Sequence, residues 1–116
     1  MIFELPEPPS VNAMWRRVGA KTLLSKRGRE FRRDVESLAR RQMIRQGAAT
    51  IRDREVEVDI LWRRRVRRGD VDNICKGILD SLNGLAYADD RQVVALRVRR
   101  VDDKANPGAT VTVRAA

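Results

Sequence analysis

The chain has 116 residues, 42% of them hydrophobic and 35% charged, which suits a single domain (1–116) with a modest core and a heavily charged surface. Its net charge of +9 and pI near 11.1 favour a polyanionic partner, nucleic acid above all. The chain has no histidine and a single cysteine, Cys75, which excludes histidine-based triads, Cys–His pairs, an internal disulfide and zinc sites built on histidine or several cysteines.

Ile2–Leu5 reads as a short strand, and Pro6–Ser10 must be extended or turn-like because each proline restricts the residue before it. The N-terminus lacks a basic leader and a long apolar run, and no stretch approaches the roughly 18 apolar residues of a membrane helix, so a cytoplasmic protein is expected. Residues 11–24 carry no clear period and are expected to form a loop. A helix is predicted from Ser25 or Lys26 to about Gln46, with Phe31, Val35, Leu38, Ala39 and Met43 on one face and Gly47 as its stop. Glu55–Trp62 alternates, placing Val56, Val58, Ile60 and Trp62 on one side of a half-buried strand. Its charged end, WRRRVRRGD, leads into a second predicted helix, Asp72–Asn83, with Ile74, Cys75, Ile78, Leu79 and Leu82 on its apolar face. Gly84 suits the position just past that helix. Two further strands, Gln92–Val101 and Ala109–Arg114, are joined through the turn-forming run DDKANPG. The sum is an α+β domain: a mixed sheet of about four strands with two main helices packed on one face and a wetter second face.

The chemistry concentrates in residues 67–93. Asp70 and Asp72 lie at the entrance of the second helix, and Asp89 and Asp90 follow the loop after it. An aspartate at a helix entrance is an ordinary N-cap, which accounts for one carboxylate better than for two. Asp72, Lys76 and Asp80 fall at i, i+4 and i+8, which also fits a solvated, ion-paired helix face. The alternative is a metal site. Hydrolysis of a phosphodiester needs the phosphate charge neutralised and a strong nucleophile near neutral pH, and one or two Mg²⁺ ions held by a few carboxylates supply both. Oxygen-only donors suit Mg²⁺, with Mn²⁺ as substitute. The loop after the helix is expected to fold back and bring the second acidic pair to the first. Arg63, Arg64, Arg65, Arg67 and Arg68 are the candidates for phosphate contacts, although strand alternation prevents all five from facing one DNA. Trp62 belongs to the core stripe and Cys75 to the apolar helix face. Trp15, in a basic stretch, fits either a junction wedge or an interface.

The run D-x-D-N-x-x-K-x-x-x-D-x-L-N-G, followed by D-D-x-Q-V, resembles the RusA family of Holliday junction resolvases. It comprises Asp70, Asp72, Asn73, Lys76, Asp80, Leu82, Asn83, Gly84, Asp89, Asp90, Gln92 and Val93. Pro8-Pro9-Ser10 with Asn12 is similar to the family's N-terminal P-P-S-x-N, and Ser25, Gly28, Phe31 and Arg32 are similar to its pattern at the first helix. The resemblance implies a RusA-like fold and a homodimer that binds four-way DNA junctions and nicks two opposing strands with a divalent metal, in recombination and repair. It assigns the metal to Asp70, Asp72 and Asp90, with Asp89 as the alternative to Asp90, and makes Lys76 the essential lysine, also in reach of DNA. It also suggests a phage or prophage origin. Two other readings stay open: a non-cleaving, architectural binder of branched DNA with the same fold, and a nuclease acting on forks or flaps.

Overall fold

The computed structural model describes all 116 residues. Its main sheet has four strands in the order β1 (Ile2–Leu5), β6 (Gly108–Ala115), β4 (Val56–Arg64) and β5 (Val93–Asp102). β1 and β4 both run antiparallel to β6, whereas β5 runs parallel to β4 from Val56↔Val93 to Arg64↔Asp102. The mixed α+β architecture expected from the sequence is therefore present. No helix is long and apolar enough to cross a membrane.

The long helix α2 spans Lys26–Gln46, as its period and caps predict. The Ser25 side chain accepts a hydrogen bond from the Gly28 N–H at 3.0 Å, and Gly47 closes the helix in the left-handed region at φ 65°. Phe31, Val35, Ala39 and Met43 form its buried stripe, while Leu38 is only half-buried. Gly28 is required by space, since a Cβ there would stand 2.3 Å from the Met14 carbonyl oxygen. In β4 every second residue from Val56 to Arg64 is buried, and Trp62 sits in the core as the alternation predicts.

Two expectations need correction. Residues 11–24 are not a loop. Val11–Met14 makes a single helical turn, α1, and Trp15–Val18 (β2) pairs with Lys21–Leu24 (β3) as a hairpin outside the main sheet. Its turn is Gly19-Ala20, with Gly19 at φ 61°, and its largely exposed strands carry no apolar alternation that would mark them in the sequence. The second main helix is also shorter than predicted. Val71–Ile74 is a 3₁₀ turn, and the α-helix proper, α3, covers Cys75–Ser81. The chain leaves α3 at Leu82 and crosses a buried corner, Leu85–Tyr87, where the Tyr87 hydroxyl donates to the Leu79 carbonyl at 2.8 Å. Cys75, on the apolar face of α3, is half-buried.

Candidate active site

Asp70 stands where the N-cap of the 3₁₀ turn would be, yet its side chain makes no capping hydrogen bond. Asp70 and Asp72 are both exposed, so local capping does not account for these carboxylates. The preceding residue is firmly held. The Gly69 carbonyl accepts from Arg64 of β4 and from Arg100 of β5, each at 3.1 Å. This fixes the start of the acidic motif at the Trp62↔Arg100 level of the sheet.

Lys76, one turn into α3, is exposed. Its Nζ lies 3.3 Å from Asp80 Oδ2 and 5.4 Å from the centre of the Trp15 ring. The hairpin thus supplies an aromatic platform under the motif's lysine, a neighbour that sequence spacing does not reveal. The charge–quadrupole attraction holds the ammonium without neutralising it.

The second acidic pair is anchored elsewhere. Asp89 caps the 3₁₀ turn Asp90–Gln92, accepting from the Arg91 N–H at 3.0 Å, while the Gln92 side chain accepts from the Asp89 N–H. Gln92 also donates to the carbonyls of Ile51 and Arg54, which pins this turn beside the start of β4. The bond from the Arg91 N–H holds the Asp89 carboxyl below the usual range. Asp90 is pushed the other way, by partial burial and by the neighbouring carboxyls of Asp80 and Asp89.

The expectation that one chain gathers Asp70, Asp72 and Asp90 around one cation is therefore not met. No three acidic or thiol side chains stand close enough together to hold a metal ion. The cause is topological. Because β5 is parallel to β4, Asp70 follows the end of β4 while Asp90 precedes the start of β5, at opposite ends of the strand pair. Their anchors differ by the stretch from Val56 to Trp62, about 20 Å at roughly 3.3 Å per residue. What does gather is Asp80, Asp89 and Asp90 in part at one end of α3, and Asp70 with Asp72 at the other.

The arginines divide too. Arg63 is spent inside the fold, donating to Thr110 Oγ1 at 2.6 Å, to the Asn106 carbonyl at 3.0 Å and to Glu4 at 3.1 Å. Arg64 is buried and paired with Asp102 as well as Gly69. Arg65, Arg67 and Arg68 are exposed, Arg67 at 3.3 Å from Asp102. Arg68, Pro8, Pro9, Ser10, Asn12 and Asn73 help line a groove of about 390 Å³ beside Gly69, so the N-terminal P-P-S-x-N run borders the motif. The hairpin adds exposed Arg16, Arg17 and Lys21, the cations of the basic stretch around Trp15.

Comparison with known proteins decides the family. The profile described as Endodeoxyribonuclease RusA matches residues 6–114. The chain belongs to the RusA family. It is 38% identical over 110 residues to the crossover junction endodeoxyribonuclease RusA of Enterobacteria phage HK97, covering 84% of this chain and 80% of that one. It is 34% identical over 95 residues to the protein of the same name from Shigella sonnei (strain Ss046), covering 81% and 77% respectively. The match takes in the hairpin, the groove and both acidic ends of this RusA domain.

Proposed function

We propose that this chain is a crossover junction endodeoxyribonuclease that hydrolyses phosphodiesters in opposing strands of a four-way DNA junction, working as a two-fold dimer with Mg²⁺, for which Mn²⁺ can substitute. The observation that carries this reading is the pair of exposed, uncapped carboxylates, Asp70 and Asp72, at the mouth of an arginine-rich turn in a RusA-family chain.

The donors are carboxylate oxygens, which fit a hard cation. One chain presents them as two separated groups, so the metal-binding set of Asp70, Asp72 and Asp90 (with Asp89 as alternative) fits such an ion when two chains lie side by side. The Asp70–Asp72 end of one then faces the Asp90 end of the other. Two-fold symmetry makes two such sites, one for each opposing strand. A cation held by these carboxylates would supply charge neutralisation at the phosphate and activation of a water. The protein's own residues do the rest. Lys76, carried on Trp15 and drawn toward Asp80, presents a cation to the scissile phosphate without being buried. Arg65, Arg67 and Arg68 and the hairpin's Arg16 and Arg17 hold the flanking phosphates. Arg63 and Arg64, spent on internal bonds, support the strand end from which that turn springs.

The test is cleavage of a labelled four-way junction beside linear duplex, comparing wild type with Asp70→Asn, each with Mg²⁺ and with EDTA. Paired nicks on the junction alone are expected, requiring Mg²⁺ and lost in Asp70→Asn while junction binding persists. Tight binding without cleavage in any divalent metal would make the protein an architectural binder and refute the nuclease reading.

A further inference from the structure

Arg32 belongs to the pattern read at the first helix, yet no role described so far uses it. It follows buried Phe31 on α2 and is itself half-buried. Its Nε is shut off from solvent and has no hydrogen-bond partner. A buried donor left unpaired is costly and calls for a reason. The nearby carboxylates pair elsewhere, Glu36 with Arg40 at 3.2 Å and Asp80 with Lys76 at 3.3 Å. On a helix the order Glu36 before Arg40 is the favoured one, whereas Arg32 before Glu36 is the reverse.

Asp80 is the other candidate partner. Arg32 on α2 and Asp80 near the end of α3 line one polar cavity of about 330 Å³, together with Glu36, Arg40 and Ser81. The Asp80 side chain is only 15% exposed, and Lys76 is the cation within ion-pair distance of it. The Asp90 carboxyl lies against it, and the two repel when both are charged. The nuclease reading sends Lys76, exposed on its flexible stem, to the scissile phosphate. That movement would leave an enclosed carboxylate beside a second one with no counter-charge, and the cost would fall on the step the lysine serves.

We propose that Arg32 is a positioning residue that takes hold of Asp80 when Lys76 leaves it for the phosphate. The inference rests on the nuclease reading and adds a guanidinium that works through Asp80 and touches neither DNA nor metal. A planar fork of N–H groups matches the two oxygens of a carboxylate. The exchange keeps Asp80 and Asp90 in place while it frees the ammonium. In the resting protein Arg32 waits without a partner, which accounts for its unpaired donor.

The experiment compares full-length wild type, Arg32→Gln, Asp80→Asn and the double variant on a labelled four-way junction with Mg²⁺. Arg32→Gln should lower kcat about 10- to 100-fold, the worth of one charge-assisted hydrogen bond, with KM and the salt dependence of binding unchanged. In the Asp80→Asn background the same substitution should cost less than about twofold, because no carboxylate remains to be held. Equal losses in both backgrounds overturn the proposal. So does a salt slope lowered by about one ion, which would make Arg32 a phosphate contact. Urea unfolding in EDTA gives a second reading without cleavage. In Lys76→Ala protein, where Arg32 is the cation left for Asp80, Arg32→Gln should lower the urea midpoint, and in the wild-type background it should not. Equal shifts in the two backgrounds overturn the exchange even where junctions are cut. Unequal shifts in a protein that nicks no junction keep the Arg32–Asp80 pair and remove the nuclease reading.

Discussion

The two edges of the main sheet are treated in opposite ways. At β1, glutamines on α2 imitate a neighbouring strand. Gln42 accepts from the Glu4 N–H at 2.7 Å and donates to the Glu4 carbonyl at 2.9 Å, and Gln46 does the same for Ile2 at 2.8 and 2.6 Å. At β5 no side chain takes that part, and the strand is more than twice as long. A four-residue edge closed by two amides beside a ten-residue edge left open shows that this small fold can seal an edge from its own helix. The open one has no such seal within the chain.

The largest effect expected from this contrast is a rescue. Asp70→Asn and Asp90→Asn chains, each inactive alone, should regain junction nicking when unfolded together and refolded as a mixture. Each mixed dimer then carries one intact site and one doubly altered site, giving roughly a quarter of the wild-type number of sites at equal mixing. Its product should be singly nicked junctions, not resolved ones. A mixture that stays inactive would place each site within one chain.

A smaller effect is expected at the sealed edge. Replacing Gln42 and Gln46 together by alanine removes five hydrogen bonds, four to β1 and one from Gln46 to the Gln42 carbonyl, three of them made by the exposed Gln46, and should cost about 1–2 kcal/mol in urea unfolding. The same variant should gain concentration-dependent association through β1, since its edge is now free. Unchanged stability would mean that water replaces the amides at no loss.

The smallest effect concerns the far end of β5. Asp102 is held below the usual carboxylate range by its bond to Arg64, with Arg67 and Arg100 adding to it. A folded-state pKa below the unfolded value gives stability that is present above pH ~4 and lost as pH falls through the lowered value. Asp102→Asn should therefore flatten the acid limb of a stability–pH curve below pH ~4 while leaving the shape near neutrality unchanged. An identical acid limb would remove this pair from the linkage.

Much of this was legible in the sequence where one local signal acts alone. The limits of α2 followed from Ser25, Gly47 and the spacing of Phe31, Val35 and Ala39, because caps and period are properties of the segment itself. The alternation of β4 and the acidic motif could be read for the same reason. The hairpin could not, since its exposed strands carry no apolar alternation, although Gly19-Ala20 between two four-residue runs was the available cue. The site failed differently. Every acidic residue was found, but their arrangement depends on β5 running parallel to β4, and direction in a sheet leaves no mark on the spacing of Asp70, Asp72 and Asp90. Likewise, nothing in five clustered arginines tells which two turn inward to Thr110 and Asp102.

The distance between the two acidic ends also sets a kinetic rule. If neither end completes a site alone, a solitary chain among a great excess of duplex carries only half of the cutting machinery. Where dimers are scarce, the rate of cutting rises with the square of the amount of protein made. Nuclease power is then withheld at low dose and released steeply once enough chains have accumulated.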